Sequence, residues 1–329
     1  MVLEWRKISL FIAVFLGGGV SGFFLSHLLA PAKEPISPFV RNDLGFSYVK
    51  PLLYCNAPQK EFVEYGSLQK KVEQVARSVK EKDPKAELSV YMRDLQTGAW
   101  MGVNENERFT PASLLKVPMM LAYYKYAETH PDILEKKVLY DGTFDQNIGQ
   151  NFKSAKLLTV GTYSVDELIR YMIVHSDNNA LELLRRNLKA DYLLEVFTDL
   201  GLPLPPRSDN VDFMSPKSYS FFFRTLYNAT YLNHAFSEKA MKLLAEGGFA
   251  EGIRSGIPSD INVAEKFGER AVVTRPLGGL VVAELHDCGI VYRPESPYLL
   301  CVMTRGGSFA PLAEAIRSIS KIVYEYDLR

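Results

Sequence analysis

Ser113 and Lys116 are the residues whose types and spacing most directly suggest chemistry. They lie in the stretch Phe109-Thr110-Pro111-Ala112-Ser113-Leu114-Leu115-Lys116-Val117-Pro118-Met119-Met120. At or near a helix start, Ser113 would find free backbone N–H groups and the positive end of the macrodipole, both favourable to developing negative charge. One helical turn on, Lys116 shares a face with the hydroxyl and can reach back to it. The flanking Leu114, Leu115, Val117, Met119 and Met120 imply a poorly hydrated site. Desolvation lowers a lysine pKa, and a neutral amine takes the proton of a serine nucleophile. Ser-x-x-Lys also occurs as Ser67/Lys70 and Ser318/Lys321. Those two pairs fall on amphipathic helices whose apolar stripes are made by other residues, so they are expected to be solvated.

Two more groups stand out. Ser176-Asp177-Asn178 sits in the corner between two amphipathic helices, where short polar side chains would point from a fixed turn into a cleft. A second copy, Ser208-Asp209-Asn210, follows Pro203-Leu204-Pro205-Pro206-Arg207 and has the composition of an ordinary loop. Lys266-Phe267-Gly268 is expected just ahead of the C-terminal strands. There the lysine would hold an anionic substrate end, and the glycine would let a substrate backbone lie along a strand edge. No metal site and no cofactor are called for: the five histidines, 27, 130, 175, 234 and 286, contain no His-x-x-x-His pair.

The elements that must position these groups follow from periodicity. Leu68, Val72, Val75, Ala76 and Val79 trace one helical stripe; Leu88, Val90 and Met92 alternate as a strand, and Gln96-Thr97-Gly98 turns into a second run up to Val103. Ser164 and Glu167 have capping-box spacing before the helical face Val165, Leu168, Ile169, Met172 and Ile173, and another helix starts near Asn179. Residues 281–291 and 298–303 are β-rich, and Leu312, Ile316, Ile319 and Val323 share the face of a closing helix. The order predicts an α+β fold: a sheet assembled from both ends of the chain around an inserted helical subdomain. Cys288 and Cys301 face one another across the last hairpin in this reading, as two small buried apolar residues.

Charge and hydropathy set the context. The 329 residues carry 38 Lys+Arg against 38 Asp+Glu, so there is no basic field to hold a phosphate backbone, and nucleic acid is not an expected partner. Residues 8–30 contain no Asp, Glu, Lys or Arg, and at about 1.5 Å per residue such a helix spans a bilayer. Trp5, Arg6 and Lys7 precede it, which places the N-terminus in the cytoplasm and the rest outside. A retained anchor is favoured over a cleaved signal peptide because the apolar run exceeds the usual length. Gly17, Gly19 and Gly22 spell a dinucleotide fingerprint there but lack its strand and helix context. The predicted organisation is an anchor over 1–30, a Pro-rich extracytoplasmic tether over 31–64, and a folded body over 65–329 with a helical subdomain at about 114–235.

In order and context, Ser113-x-x-Lys116, Ser176-Asp177-Asn178 and Lys266-x-Gly268 resemble the penicillin-recognising serine enzymes, the class A β-lactamases and the related D-alanyl-D-alanine peptidases. The resemblance covers residues 65 to 329. It implies an antiparallel sheet with flanking helices and an all-helical subdomain beside the site. It implies Ser113 as the acylated nucleophile, Lys116 as its proton acceptor, and Ser176 as the relay to the leaving nitrogen. Asn178 would orient the substrate amide, Lys266 would attract a substrate carboxylate, and the backbone N–H groups of Ser113 and Glu269 would form the oxyanion hole. Asp212, ahead of Met214-Ser215-Pro216, would close a loop structurally.

Two departures from the family pattern carry weight. Phe267 stands where the family has a hydroxyl residue, and residues 201–212 contain no Glu to activate a deacylating water, Asp209 being a short substitute. The expectation is therefore a membrane-anchored serine hydrolase that forms a slowly hydrolysed acyl-enzyme with β-lactams or peptidoglycan stem peptides, a cell-wall peptidase. The alternatives are a true β-lactamase, a peptidoglycan-binding pseudoenzyme, or a fold-only resemblance serving an envelope scaffold.

Overall fold

Apolar side chains on both surfaces of the long strands require a sheet covered on two sides. The computed structural model describes residues 39–41, 45–55, 65–154, 156–206, 211–274 and 280–328. The expected anchor, most of the expected tether and Ser208-Asp209-Asn210 lie outside the described residues. Among the described residues no helix is long and apolar enough to cross a membrane.

The strands are β1 (Phe39–Arg41), β2 (Leu52–Cys55), β3 (Glu87–Asp94), β4 (Trp100–Val103), β5 (Lys137–Tyr140), β6 (Gly161–Ser164), β7 (Val263–Thr274), β8 (Leu280–Val291) and β9 (Tyr298–Gly306). The helices are α1 (Gly66–Lys82), α2 (Lys116–Ala127), α3 (Val165–Val174), α4 (Asn178–Asn187), α5 (Ala190–Asp199), α6 (Pro216–Tyr227), α7 (His234–Glu246) and α8 (Phe309–Glu325). Five strands form one antiparallel sheet in the order β4-β3-β9-β8-β7, so the β3–β4 hairpin joins the last strand through β3. Residues 104–262 are inserted between β4 and β7 and carry the helical block.

The sheet separates two cores. Leu88, Val90, Met92, Leu300 and Val302 pack with Leu68 and Val72 of α1 and with Leu312, Ile316, Ile319 and Val323 of α8. Tyr91, Leu299, Cys301 and Met303 turn the other way, onto the helical block around Met120, Phe222 and Phe223. The residues between the expected apolar positions of β3 are therefore also buried, because both of its faces are covered. At the start of α3 the capping box forms as predicted: Ser164 Oγ accepts from Glu167 N at 3.2 Å, and the Glu167 carboxylate accepts from Ser164 N at 2.6 Å.

Three expectations are corrected. Lys266-Phe267-Gly268 lies ahead of β8 and β9 as expected, but within a further strand that the sequence reading lacked, β7, a twelve-residue edge strand. Its charged residues Glu265, Lys266, Glu269 and Arg270 break the apolar pattern that marks a strand. Cys288 and Cys301, register partners across β8 and β9, are joined by a disulfide rather than packed as free thiols. Part of the expected tether is docked on the body. The amides of Ser47, Tyr48 and Val49 all donate to the Glu238 carboxylate of α7, at 3.0, 2.8 and 3.0 Å. Arg41 donates to Leu95 O and to Asn228 Oδ1, at 2.7 and 2.6 Å.

Candidate active site

Ser113 is carried by a 3-10 turn, Ala112–Leu115, that runs directly into α2. The turn closes through a bond from Leu114 N to Pro111 O at 3.0 Å, and Ala112 is held in the left-handed region at φ +49°. Such a conformation is costly for a residue with a Cβ and persists only where its surroundings fix it. The surroundings do so. Tyr219 donates from its hydroxyl to Leu114 O at 2.8 Å. Thr110, just upstream, donates to Asp212 Oδ1 at 2.8 Å and accepts from Arg270 at 2.9 Å. His286 is buried and held neutral, its pKa pushed down to about 4 mainly by burial. Its Nδ1 faces the Thr304 amide, an obligate donor, so the proton lies on Nε2 and is donated to Thr110 O at 3.0 Å. Asp212 therefore sits behind the nucleophile turn, where Arg305 also binds it at 2.5 Å.

Lys116, on the first turn of α2, is fully buried. Its Nζ lies 3.0 Å from Ser113 Oγ, 2.6 Å from Ser176 O, 3.1 Å from Ser176 Oγ and 2.6 Å from Asn178 Oδ1. Two of these four neighbours, Ser176 O and Asn178 Oδ1, are acceptors only. A neutral amine satisfies both with its two N–H groups and leaves its lone pair toward the hydroxyls. Burial holds the Lys116 pKa well below its ordinary value, helped by the nearby Lys266 charge and opposed by Asp177 and Glu269. The other two Ser-x-x-Lys lysines, Lys70 and Lys321, are exposed.

The Ser176-Asp177-Asn178 corner joins α3 to α4, with Ser176 at φ +52°. Asp177 does not enter the cleft. It caps α4 by accepting from Ala180 N at 2.8 Å and takes Leu158 N at 2.8 Å and Asn147 Nδ2 at 3.1 Å. Asn178 spends its amide oxygen on Lys116 and donates from Nδ2 to Gln146 O at 3.0 Å. The segment 145–152 was not anticipated as part of the site. Asn147 Oδ1 receives Asn178 N at 2.7 Å, and Gln150 Nε2 reaches Ser176 O at 3.1 Å. The run Asp145-Gln146-Asn147 and Gln150-Asn151 is polar, but nothing in its sequence distinguishes it from a solvated loop.

From β7, Lys266 Nζ donates to Ser176 Oγ at 3.0 Å and to Phe267 O at 3.2 Å, and lies 4.3 Å from the centre of the Phe267 ring. Its pKa is lowered to about 8 by burial, against the opposing charges of Asp287, Glu265 and Glu269. Behind it, Asp287 is held well above the usual carboxylate range by burial and by Glu265. Gly268 has a reason other than substrate approach: a Cβ there would lie 2.7 Å from Pro111 O and 3.1 Å from Leu114 N. β7 thus presses directly on the nucleophile turn. Phe267 stacks on Phe249 at 4.4 Å between ring centres. The Glu269 side chain, unforeseen in the sequence, accepts from Asn151 N at 3.0 Å and Phe152 N at 2.9 Å, tying β7 to the 145–152 segment.

Ser113, Ile148, Ser176, Asn178, Glu269 and Phe309 line one cleft of about 170 Å³. A hydroxyl beside a buried lysine, a second hydroxyl bridging two lysines, and an open groove above them form an arrangement suited to acyl transfer through a serine ester.

A model of the family described as the beta-lactamase enzyme family matches residues 67–326. The chain belongs to this family, and it is a serine hydrolase of the acyl-transfer class. Among solved structures, PBP-A aligns with a TM-score of 0.65 at 19% identity, covering 80% of this chain and 97% of that one. TLA-3 extended-spectrum β-lactamase aligns at 0.67 and 18%, covering 79% and 98%. The class A β-lactamase from Mycobacterium abscessus aligns at 0.63 and 18%, covering 78% and 97%. No curated protein matches the chain.

Proposed function

We propose that Ser113 forms a covalent acyl-enzyme with β-lactams or D-alanyl-D-alanine peptides and releases it slowly, in the manner of a cell-wall peptidase rather than a resistance enzyme. The observation that carries this reading is the buried Lys116 amine 3.0 Å from Ser113 Oγ, with two obligate acceptors claiming its N–H groups. Ser113 Oγ attacks the carbonyl carbon while its proton passes to Lys116. The C–N bond then breaks, and the proton travels through Ser176 Oγ to the leaving nitrogen. The N–H groups of Ser113 and Glu269 hold the oxyanion, with donors of this kind often worth about 10²–10³ each in rate. Asn178 fixes Lys116, and the Lys266 charge orients Ser176.

Slow release rests on residues 201–212, which contain no Glu, and on the absence of any carboxylate among the hydrogen-bond partners of Lys116 in the described residues. A PBP-A mutant is known as an acyl-enzyme complex with penicillin G, which supports a related adduct here. The Cys288–Cys301 disulfide and the apolar run 8–30 support a membrane-anchored body facing an oxidising compartment outside the cytoplasm. Intact-protein mass spectrometry after treatment with penicillin G tests the reading. A persistent single adduct, absent in Ser113→Ala and Lys116→Ala, is the expected result. Rapid turnover without a trapped adduct would overturn slow deacylation, and an adduct retained by Ser113→Ala would overturn the nucleophile.

A further inference from the structure

We propose that a row of alternating charges across four strands holds the nucleophile turn in its left-handed shape, and that Thr110 and Arg270 are positioning residues for Ser113. The inference rests on Ser113 being the nucleophile and goes beyond it by assigning what places that hydroxyl. Glu87 of β3, Arg305 of β9, Glu284 of β8 and Arg270 of β7 are successive register partners. Their side chains therefore stand in one row on one face of the sheet. Each charge meets one of opposite sign. Arg305 lies 2.9 Å from the Glu87 carboxylate and 2.6 Å from Glu284 Oε1, and Arg270 lies 3.5 Å from Glu284 Oε2. Gly268, two residues before Arg270 on the same strand, faces the same way and abuts Pro111 and Leu114. The row thus ends beneath the nucleophile turn.

Its last contact is Thr110, three residues before Ser113. A guanidinium only donates, so the Thr110 hydroxyl accepts from Arg270 at 2.9 Å and gives its own proton to Asp212 Oδ1 at 2.8 Å. The other Asp212 oxygen returns to Arg305 at 2.5 Å. The circuit from Arg270 through Thr110, Asp212, Arg305 and Glu284 is closed. Arg305 also lies over the Phe109 ring, 5.2 Å from its centre. The chain is therefore pinned upstream of Ala112 at Phe109 and Thr110, and downstream at Leu114 by the Tyr219 hydroxyl. Between the pins Ala112 sits at φ +49°, a conformation that a residue with a Cβ leaves when nothing holds it. Release of the upstream pin lets Ala112 relax, and Ser113 Oγ turns away from the Lys116 amine, now at 3.0 Å. Arg270 lines the cleft, yet the work assigned to it is on the turn.

The test follows acylation of Ser113 by penicillin G at rising concentration, read by intact mass, which separates the limiting rate from the half-saturating concentration. Thr110→Val keeps the side-chain shape and loses both hydrogen bonds, so its limiting rate should fall about 100-fold, with half-saturation unchanged. Thr110→Ser keeps the hydroxyl and should restore most of that rate. Glycine takes a positive φ without the Cβ penalty, so Ala112→Gly added to Thr110→Val should recover about tenfold of the loss. Arg270→Ala should lower the limiting rate about tenfold through one lost hydrogen bond, again without moving half-saturation. A far-ultraviolet spectrum matching the wild type shows which variants are folded, and Arg270→Ala carries the test if Thr110→Val is not. Three results overturn the inference and leave the nucleophile intact: a wild-type rate in folded Thr110→Val, no recovery on adding Ala112→Gly, or an Arg270→Ala loss confined to half-saturation, which would make Arg270 a substrate contact. A wild-type protein that takes no label at Ser113 overturns the proposed function and this inference with it.

Discussion

Gly268→Ala is the sharpest probe of how the sheet and the nucleophile turn fit together. The added Cβ would lie 2.7 Å from Pro111 O, 3.1 Å from Leu114 N and 3.1 Å from Leu114 Cγ. Ordinary contact begins near 3.4 Å, so relief requires a separation of about 0.7 Å. Two of the three obstructing atoms are backbone, and both belong to a turn closed by its own hydrogen bond, so the strand and the turn must part as bodies. Overpacking of this kind costs about 1–3 kcal/mol, small against the stability of a body with two cores. The catalytic cost is larger. Ser113 lies on the turn and Glu269 on the strand, so the two proposed oxyanion donors move apart by the same distance, and a misplacement of about 1 Å costs about 10² in rate. The expected result is a melting temperature lower by a few degrees and an acylation rate reduced about 100-fold. Stopped-flow labelling with a fluorescent acyl donor, beside a thermal melt, measures both. A folded Gly268→Ala protein that acylates at the wild-type rate would refute the claim that strand and turn share the oxyanion site.

Three further outcomes follow from the same geometry. Acylation requires Lys116 neutral and Lys266 charged; a lowered lysine pKa brings the neutral form in at lower pH, so the rate should climb as Lys116 loses its proton and fall above about pH 8 as Lys266 does. Lys266→Arg should remove the falling limb, and a wild-type profile still rising at pH 10 would contradict the assignment. Reduction or Ala replacement of Cys288 and Cys301, thirteen residues apart, should cost about 3 kcal/mol in a urea titration, from the loop entropy restored to the unfolded chain; an unchanged midpoint would argue against it. Asp177→Ala should leave Ala180 N and Leu158 N without their acceptor, at about 1–3 kcal/mol for each buried donor, and should abolish acylation by loosening Ser176 and Asn178; full activity in that variant would show that the corner holds itself.

The parts legible in the sequence are those set by local pattern. Choosing Ser113/Lys116 over Ser67/Lys70 and Ser318/Lys321 needed only the apolar neighbours of Lys116, and the structure buries that lysine and exposes the other two. The Ser164 capping box and the closing helix were equally local. β7 was missed because its charges are neutralised by distant partners: Glu265 by Arg254 at 3.2 Å and by Phe249 N, and Arg270 by Thr110 and Glu284. The docking of residues 47–49 depends on one carboxylate, Glu238, almost two hundred positions away. The disulfide needs the β8–β9 register, which spacing alone does not supply. The role expected for Gly268 was placed on the substrate, whereas its neighbour is the Ser113 turn, a contact set by the strand order of the whole sheet.

That strand order has a consequence for how the molecule would fail. Ser113, Lys116 and Ser176 belong to the insertion at 104–262, while Lys266 and the Glu269 amide belong to the sheet that brackets it. The chemistry therefore sits on a seam, joined at the site by Gly268 against Pro111, by the Lys266–Ser176 hydrogen bond, by the Glu269 carboxylate on the Asn151 and Phe152 amides, and by Arg270 on Thr110. A shift of a fraction of an ångström across it misaligns these groups before the core that joins sheet and helical block is lost. On gentle warming or in dilute urea, labelling should fade well before the far-ultraviolet signal, leaving a silent protein that regains its reactivity when the stress is withdrawn.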